Sequence, residues 1–386
     1  MNEFAEEKAT QEPTVLSEAT VKEIAENPET SQPETPESAF PLREAHDLVS
    51  DLMTPNPWIY WTDFLFSSLV GWIAFFTALL SPWFSPWQIG AYVIAVLALY
   101  RAAIFVHELA HLKKDTFGAF RVVWNCLCGI PFMIPSFTYD GVHNDHHRRN
   151  VYGTHQDGEY VPFATRKPIE MVGYVLLSFL IPPVLLMRFL LLVPLSYLMP
   201  FLRKIVWERA SSLTIDPTYK RAANAIRNDH NWRRQELAAF LFAAAVVVLM
   251  LMDVIPIDVL VLWYLVATMV FILNSLRTLA AHAYRNPGEK PMSHAEQYLD
   301  SVNVPGHPLI TPLWAPVGLR FHATHHLFMS MPYHNLGEAH RRLIHGLDDN
   351  ALYLTTVRSG LWDALRRIWR ESSRAAETSK KELHHQ

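Results

Sequence analysis

Three short histidine clusters, each beside an apolar stretch long enough to cross a membrane, constrain this chain more than any other feature. They are His107-Glu-Leu-Ala-His111, His143-Asn-Asp-His146-His147 and His322-Ala-Thr-His325-His326, and they hold eight of the 19 histidines. On a helix, positions i, i+3 and i+4 share a face, so each cluster is expected to aim its imidazoles at one point. Imidazole suits iron, zinc, copper and nickel. Eight convergent nitrogens exceed what one four- or six-coordinate ion takes and suffice for two. The count points to a dinuclear metal centre.

Four segments qualify as spanning helices by length and apolarity: about Ile59–Leu80, Gln88–Val106, Leu237–Ile255 and Val259–Leu276. Half of the residues are hydrophobic (50%) and only 18% are charged, while 12 Trp and 21 Phe suit interfacial aromatic belts. The connections Ser81–Trp87 and Pro256–Asp258 carry no Lys or Arg. Lys113, Lys114, Arg121, Arg148, Arg149, Arg166 and Lys167 follow the second segment, and Arg203, Lys204, Arg209, Arg233 and Arg234 precede the third. The positive-inside rule therefore puts both termini and all three clusters on the cytoplasmic side, at the inner membrane if the source is bacterial. Residues 171–202 are very apolar but broken by Pro182, Pro183, Arg188 and Pro194. One more crossing there would part the third cluster from the others, so an interfacial hairpin is expected.

The ends differ from the middle. Residues 1–42 are rich in Glu, Thr, Ser and Pro, a composition that cannot bury enough surface to offset ordering entropy, and a disordered tail is expected. No basic n-region or apolar h-region marks a signal peptide. Residues 43–371 form the membrane domain, and 372–386 are expected as a frayed polar end whose His384 and His385 are not ligands. Cys126 and Cys128, one residue apart, are unsuited to pairing with each other and read as small apolar filler.

His282 lies about one turn past the fourth segment, beside the other clusters, and is a ninth candidate ligand. With it the chain resembles the membrane fatty acid desaturases and hydroxylases. That family carries an HxxxH or HxxxxH box, then two HxxHH boxes, with a separate His or Asn after the last span. His107/His111, His143/His146/His147, His322/His325/His326 and His282 match, over roughly Trp58–Leu343. The runs Gly153–Tyr160 and Pro332–Leu336 also look like the family's bacterial members.

The resemblance implies two irons that use dioxygen to oxidise an unactivated C–H bond of a fatty acyl chain. Asp157, Glu159, Glu108 and Asp145 are then expected to hold ring N–H groups and fix tautomers. His155, His334 and His340 default to surface or structural roles. The first box has three intervening residues, where animal-type acyl-CoA desaturases have four, and the third box lacks the Gln of front-end desaturases. No His-Pro-Gly-Gly motif of a cytochrome b5 kind occurs, so electrons are expected from a separate ferredoxin- or rubredoxin-type carrier. Partners are thus an acyl substrate, that carrier and the bilayer, with no nucleic acid.

The expected fold is an all-α integral membrane protein: about four spanning helices, an interfacial hairpin and a helical cytoplasmic cap holding the metals. Desaturation is the first expectation for the reaction. Oxidative decarboxylation of a free fatty acid to a terminal 1-alkene, or hydroxylation, is the alternative. Among the arginines, Arg277, five residues before His282, is the expected substrate anchor, with Asp63 a possible partner to it; Arg188 is expected to snorkel to the interface. His107-Glu108-Leu-Ala-His111 also reads as the HExxH of a zinc intramembrane protease, with Glu108 as base. That reading leaves two HxxHH clusters unexplained. A metal transporter would place ligands at mid-membrane, and haem ligation would use isolated, facing histidines.

Overall fold

The computed structural model describes residues 40–113, 116–222, 231–288 and 290–384. The acidic segment before Phe40, Lys114, His385 and the side chain of His384 lie outside the described residues.

Two long helical hairpins form the frame. In the first, α1 (Pro57–Leu80) and α2 (Pro86–His111) each start on a polar cap followed by proline. Asn56 Oδ1 accepts from Trp58 N at 3.0 Å, and Ser85 Oγ accepts from Gln88 N at 3.1 Å. These caps satisfy first-turn donors, and proline at the first helical position loses no bond. The hairpin packs closely because small residues line it: Gly71 sits against the Leu99 side chain, where any Cβ would come within 2.6 Å, with Ala74, Ala78, Ala91 and Ala95 buried alongside. With 26 residues, α2 is about 39 Å long at 1.5 Å per residue, beyond the roughly 30 Å of a bilayer core. The excess carries His107 and His111 past the apolar layer while they remain on a rigid helix.

The second hairpin is α3 (Asn231–Leu251) and α4 (Asp258–Leu279). Trp83 in the first hairpin's turn donates to Asp258 Oδ1 at 3.0 Å, so both turns lie at one end of the bundle. The opposite end then gathers His111, Asn231 and Leu279. Outward faces are apolar, with Phe66, Leu69, Ile73, Leu241, Leu249 and Val261 exposed, as a bilayer requires.

Residues 169–198 differ from expectation in part. By length and composition, Ile181–Leu198 is a fifth helix able to span, where four were expected. It is uneven, winding into a wider turn over Arg188–Leu192. Arg188 does not snorkel. It is 3% exposed and donates to Glu236 Oε1 at 2.8 Å. Arg203 and Tyr197 reach Glu236 Oε2 at 2.8 and 3.1 Å. One fully buried carboxylate on the first turns of α3 thus collects three donors, and a neutralised Arg188 has no reason to seek water.

Two further corrections concern the ends. Phe40 is buried against Tyr298, with ring centroids 4.8 Å apart, and a helix starts at Leu42, so the last residues assigned to the tail pack onto the membrane domain. The last helix runs Leu361–His384, and Ser372 within it is buried, donating to Arg166 O. Its amphipathic pattern finds a surface to pack on, which a short polar end read in isolation does not reveal. Of the cysteines, Cys128 is buried filler as expected, whereas Cys126 is exposed.

Glu236→Ala leaves Arg188 buried without a counter-charge. A loss of about 3–5 kcal/mol is expected, read as a lowered thermal midpoint of the detergent-solubilised protein.

Candidate metal centre

All nine candidate histidines converge, though not box by box. The nitrogens of His107, His111, His143, His147 and His325 form one group, and those of His146, His282, His322 and His326 form a second. Helix geometry explains the division. In an HxxHH turn, residues i and i+4 are about 40° apart around the axis, while i+3 lies about 100° from i+4. So His143 and His147 face the first group and His146 the second; His322 and His326 face the second and His325 the first. Each HxxHH box serves both groups, contrary to the expectation that a box aims at one point.

Four pieces of chain bring these rings together. The last turn of α2 closes with Leu112 N on Glu108 O at 2.9 Å, keeping His107 and His111 helical. The second box lies on a one-turn helix, Val142–His146, entered through Gly141 at φ 87°, a backbone conformation that glycine adopts without strain. The third lies on Val-free His322–Leu327. His282 sits just beyond α4 on extended chain paired with Ser301, where Ala283 N donates to Asp300 O at 2.6 Å and Val302 N to Ala281 O at 2.8 Å. The described residues contain isolated bridges of this kind but no strand.

Facing nitrogens are close. His111 Nε2 is 2.8 Å from His143 Nε2, which is 3.1 Å from His147 Nε2, itself 3.2 Å from His325 Nε2. In the second group, His322 Nε2 lies 2.9 Å from His282 Nε2 and 3.1 Å from His326 Nε2. Metal–nitrogen bonds of about 2.1 Å put neighbouring ligands of an ion about 3.0 Å apart, so the spacing fits coordination. Hydrogen bonding alone does not satisfy the set: both ring nitrogens of the buried His107 are without a partner. Burial, reinforced by the neighbouring imidazoles, holds His143, His147, His282, His322, His325 and His326 far below the ordinary histidine range. They are neutral, as ligands must be.

Behind the rings stand oxygen acceptors and phenols. Asp157, fully buried, meets His146 Nδ1 at 2.8 Å and takes backbone N–H bonds from Gly153 and Glu159, both at 2.9 Å. Burial works against charge on His146, yet this carboxylate more than compensates and raises it. Glu159 bonds His143 Nδ1, which Tyr139 Oη also approaches at 3.0 Å; burial pushes the Glu159 carboxyl up to about 7. Glu108 bonds Tyr60, accepts from Tyr333 N at 3.3 Å and lies 3.5 Å from His107 Nδ1.

Asp145 is misassigned by the sequence reading. It faces Arg148 at 2.8 Å and Tyr219 at 3.4 Å, because position 145 lies on the turn's far side from the imidazoles. Asp63 likewise pairs with Arg101 and accepts from Tyr333 Oη, and has no bond to Arg277. His155 is exposed, His334 accepts from Asn56 N at 3.2 Å, and His340 meets Tyr353 Oη at 2.7 Å; none joins either group.

Sequence reading missed Asp300, Tyr152, Tyr160 and Ser301. Tyr152 Oη is 2.9 Å and Ser301 Oγ 3.2 Å from His282 Nδ1, and both phenols donate to Asp300 Oδ2, at 3.2 and 3.0 Å. Asp300 stands 18 residues from His282 with no histidine beside it in sequence, and only the chain pairing at Ser301 brings it near.

The sequence profile of the fatty acid desaturase family matches residues 81–358, a span containing every one of the nine histidines. A ceramide hydroxylase of Caulobacter vibrioides is 40% identical over 333 residues, covering 85% of this chain and 93% of its own. No solved structure matches. The desaturase match, together with Glu108 being engaged by Tyr60, leaves the HExxH protease reading without support.

Asp157→Ala is expected to lower metal affinity about 10–100-fold, measured as metal retained after dialysis against a chelator, while Asp145→Asn changes it little. His107→Ala and His325→Ala are expected to lose activity altogether and His334→Ala to keep most of it, in a turnover assay.

Proposed function

Since the chain belongs to the fatty acid desaturase family of membrane oxidoreductases, we propose that it is a di-iron hydroxylase of the acyl chain of a membrane lipid, with an N-acyl sphingoid lipid as substrate. The observation that carries this reading is the 40% identity to a ceramide hydroxylase along nearly the whole of that enzyme. Hydroxylation converts C–H, O2, two electrons and two protons into C–OH and one water. Desaturation, the expectation from sequence, uses the same inputs, removes a second hydrogen and releases two waters. The family's name supports desaturation as the second reading.

The chain's own residues divide the work. The nine histidines hold the two ions, which when bound supply the reaction of dioxygen with a C–H bond. Glu159 and Tyr139 orient His143, Asp157 orients His146, and Tyr152 and Ser301 orient His282. Glu108 and Tyr60 form a buried polar contact beside His107. Electrons come from a ferredoxin- or rubredoxin-type donor.

The proposal includes a topology of four crossings, with termini and metals on the cytoplasmic face. All three boxes meet, so the chain crosses an even number of times between His147 and His282. With α3 and α4 crossing, Ile181–Leu198 does not. Arg188, Tyr197 and Arg203, spread over 16 positions, all reach Glu236 and so lie near one depth.

The purified enzyme, in nanodiscs with iron, dioxygen and a reduced ferredoxin, is to be given N-palmitoyl sphinganine and its products analysed by mass spectrometry. Gain of one oxygen is the expected result. Loss of two hydrogens establishes the desaturase, and a volatile 1-alkene from palmitate establishes the decarboxylase.

A further inference from the structure

Arg277 is an uncompensated charge in the interior. It lies on the last turn of α4, five residues before His282. Its guanidinium donates to Asn274 Oδ1 at 2.8 Å, and its Nε is buried with no partner. Among the described residues no carboxylate forms an ion pair with it. Glu159, on whose carboxyl it acts electrostatically, is engaged on His143. Its surroundings are the phenols of Tyr100, Tyr139, Tyr174 and Tyr284. All four are already engaged, Tyr100 donating to Trp314 O at 3.1 Å, Tyr284 to Thr278 O at 2.9 Å, Tyr139 bonded to His143 and Tyr174 to Thr278 and Ser275. Taking a cation partly out of water with no carboxylate partner is costly, and only the neutral oxygens of Asn274 and Tyr100 offset it.

The same place lies beside the metal groups. Arg277, Asn274, Tyr139 and Tyr174 are only half-buried, as are His111, His147 and Glu159, so each keeps surface that a ligand can reach. Tyr139 stacks on His143 with centroids 5.0 Å apart, and Tyr284 stands 5.3 Å from His282. One phenol beside Arg277 thus touches a ring of the first group and another touches a ring of the second. Arg277 acts electrostatically on a ring of each group, His107 in the first and His282 in the second.

We infer that Arg277 and Asn274 seat the oxygen atoms of the substrate's acyl group, a carboxylate or an amide carbonyl, and that oxidation falls on the carbons adjoining that group. A carbonyl oxygen held here leaves only a few bonds between it and the metals, so a mid-chain carbon lies too far along the chain to react. Arg277 is the donor that both chemistries share: bidentate toward a free carboxylate, single toward an amide. This deepens the proposal above and rests on its reading of the substrate as an acyl lipid.

The test compares full-length wild type, Arg277→Gln, Arg277→Lys and Asn274→Ala in nanodiscs. Binding of tritiated palmitate and of tritiated N-palmitoyl sphinganine is measured apart from turnover, and product position is read by tandem mass spectrometry. Wild type is expected to bind and to oxidise at the second or third carbon from the acyl carbonyl. Arg277→Gln is expected to retain its metal and thermal midpoint, weaken binding and raise KM about tenfold, with Arg277→Lys between the two. If Arg277→Gln does not fold, the graded losses of Arg277→Lys and Asn274→Ala decide. Palmitate binding alone assigns a free acid, and binding of both assigns the shared carbonyl. Mid-chain oxidation by wild type, or unchanged binding in every variant, overturns the seat. Absence of turnover with Arg277-dependent binding overturns the proposed reaction and leaves the seat standing.

Discussion

The structure depends on gathering nine imidazoles into two groups whose ring nitrogens face one another, several of them at 2.8–3.2 Å. Such an arrangement is unstable as a purely organic core, because each facing pair needs one donor and one acceptor and a group of five cannot be paired off. A cation in each group resolves this by giving every lone pair the same partner. The remaining architecture follows from keeping those lone pairs aimed. Each ring that is fixed from behind receives its bond from a group that is itself held: Asp157 by two backbone N–H bonds, Tyr152 by Asp300, and Asp300 in turn by the chain pairing beside His282.

The split of each HxxHH box gives this core its rigidity. If a box served one ion, the two ions could drift relative to each other with their boxes. Because His146 leaves its neighbours for the second group and His325 leaves its own for the first, an ion held in each group would tie the helical turns at 142–147 and 322–327 to each other twice. The first box and His282 need no such division, because their positions are set by two membrane helices. The bundle fixes those helices through Trp83 on Asp258 at the far end and through the α1–α2 packing at Gly71.

Much of this was written in the sequence because metal chemistry is local. The convergence of nine histidines, the two hairpins, and the contacts of Asp157 and Glu159 with the rings all follow from spacing, hydropathy and a matching run of residues. What escaped reading lies where partners are distant along the chain. Glu236 neutralises Arg188 across 48 positions, and Asp300 reaches His282 only through a paired segment. Asp145 shows the opposite failure. Its neighbours in sequence are ligands, but one residue's rotation on a short helix turns it to Arg148. The C-terminal helix escaped because its polar composition resembles a loose end until a surface is present to receive its apolar side.

Such a ligand set does not by itself choose among hydroxylation, desaturation and decarboxylation, since all three start from one C–H bond. The choice belongs to whatever fixes the chain relative to the ions. Here the fixing elements are the same helices that deliver the metals: α2 brings Tyr100 two turns before His107, and α4 brings Asn274 and Arg277 before His282. The seat lies on the last turns of α4, and His282 follows on a short extended segment pinned through Ala283 N to Asp300 O and Val302 N to Ala281 O, so the interval between them is set by paired chain and not by a mobile loop. His282 comes five positions after Arg277, which keeps seat and ligand neighbours along the chain. A lipid held by its acyl group at that seat would meet the metal groups with the carbons nearest the carbonyl, and the length of the tail beyond them is free to vary in the bilayer.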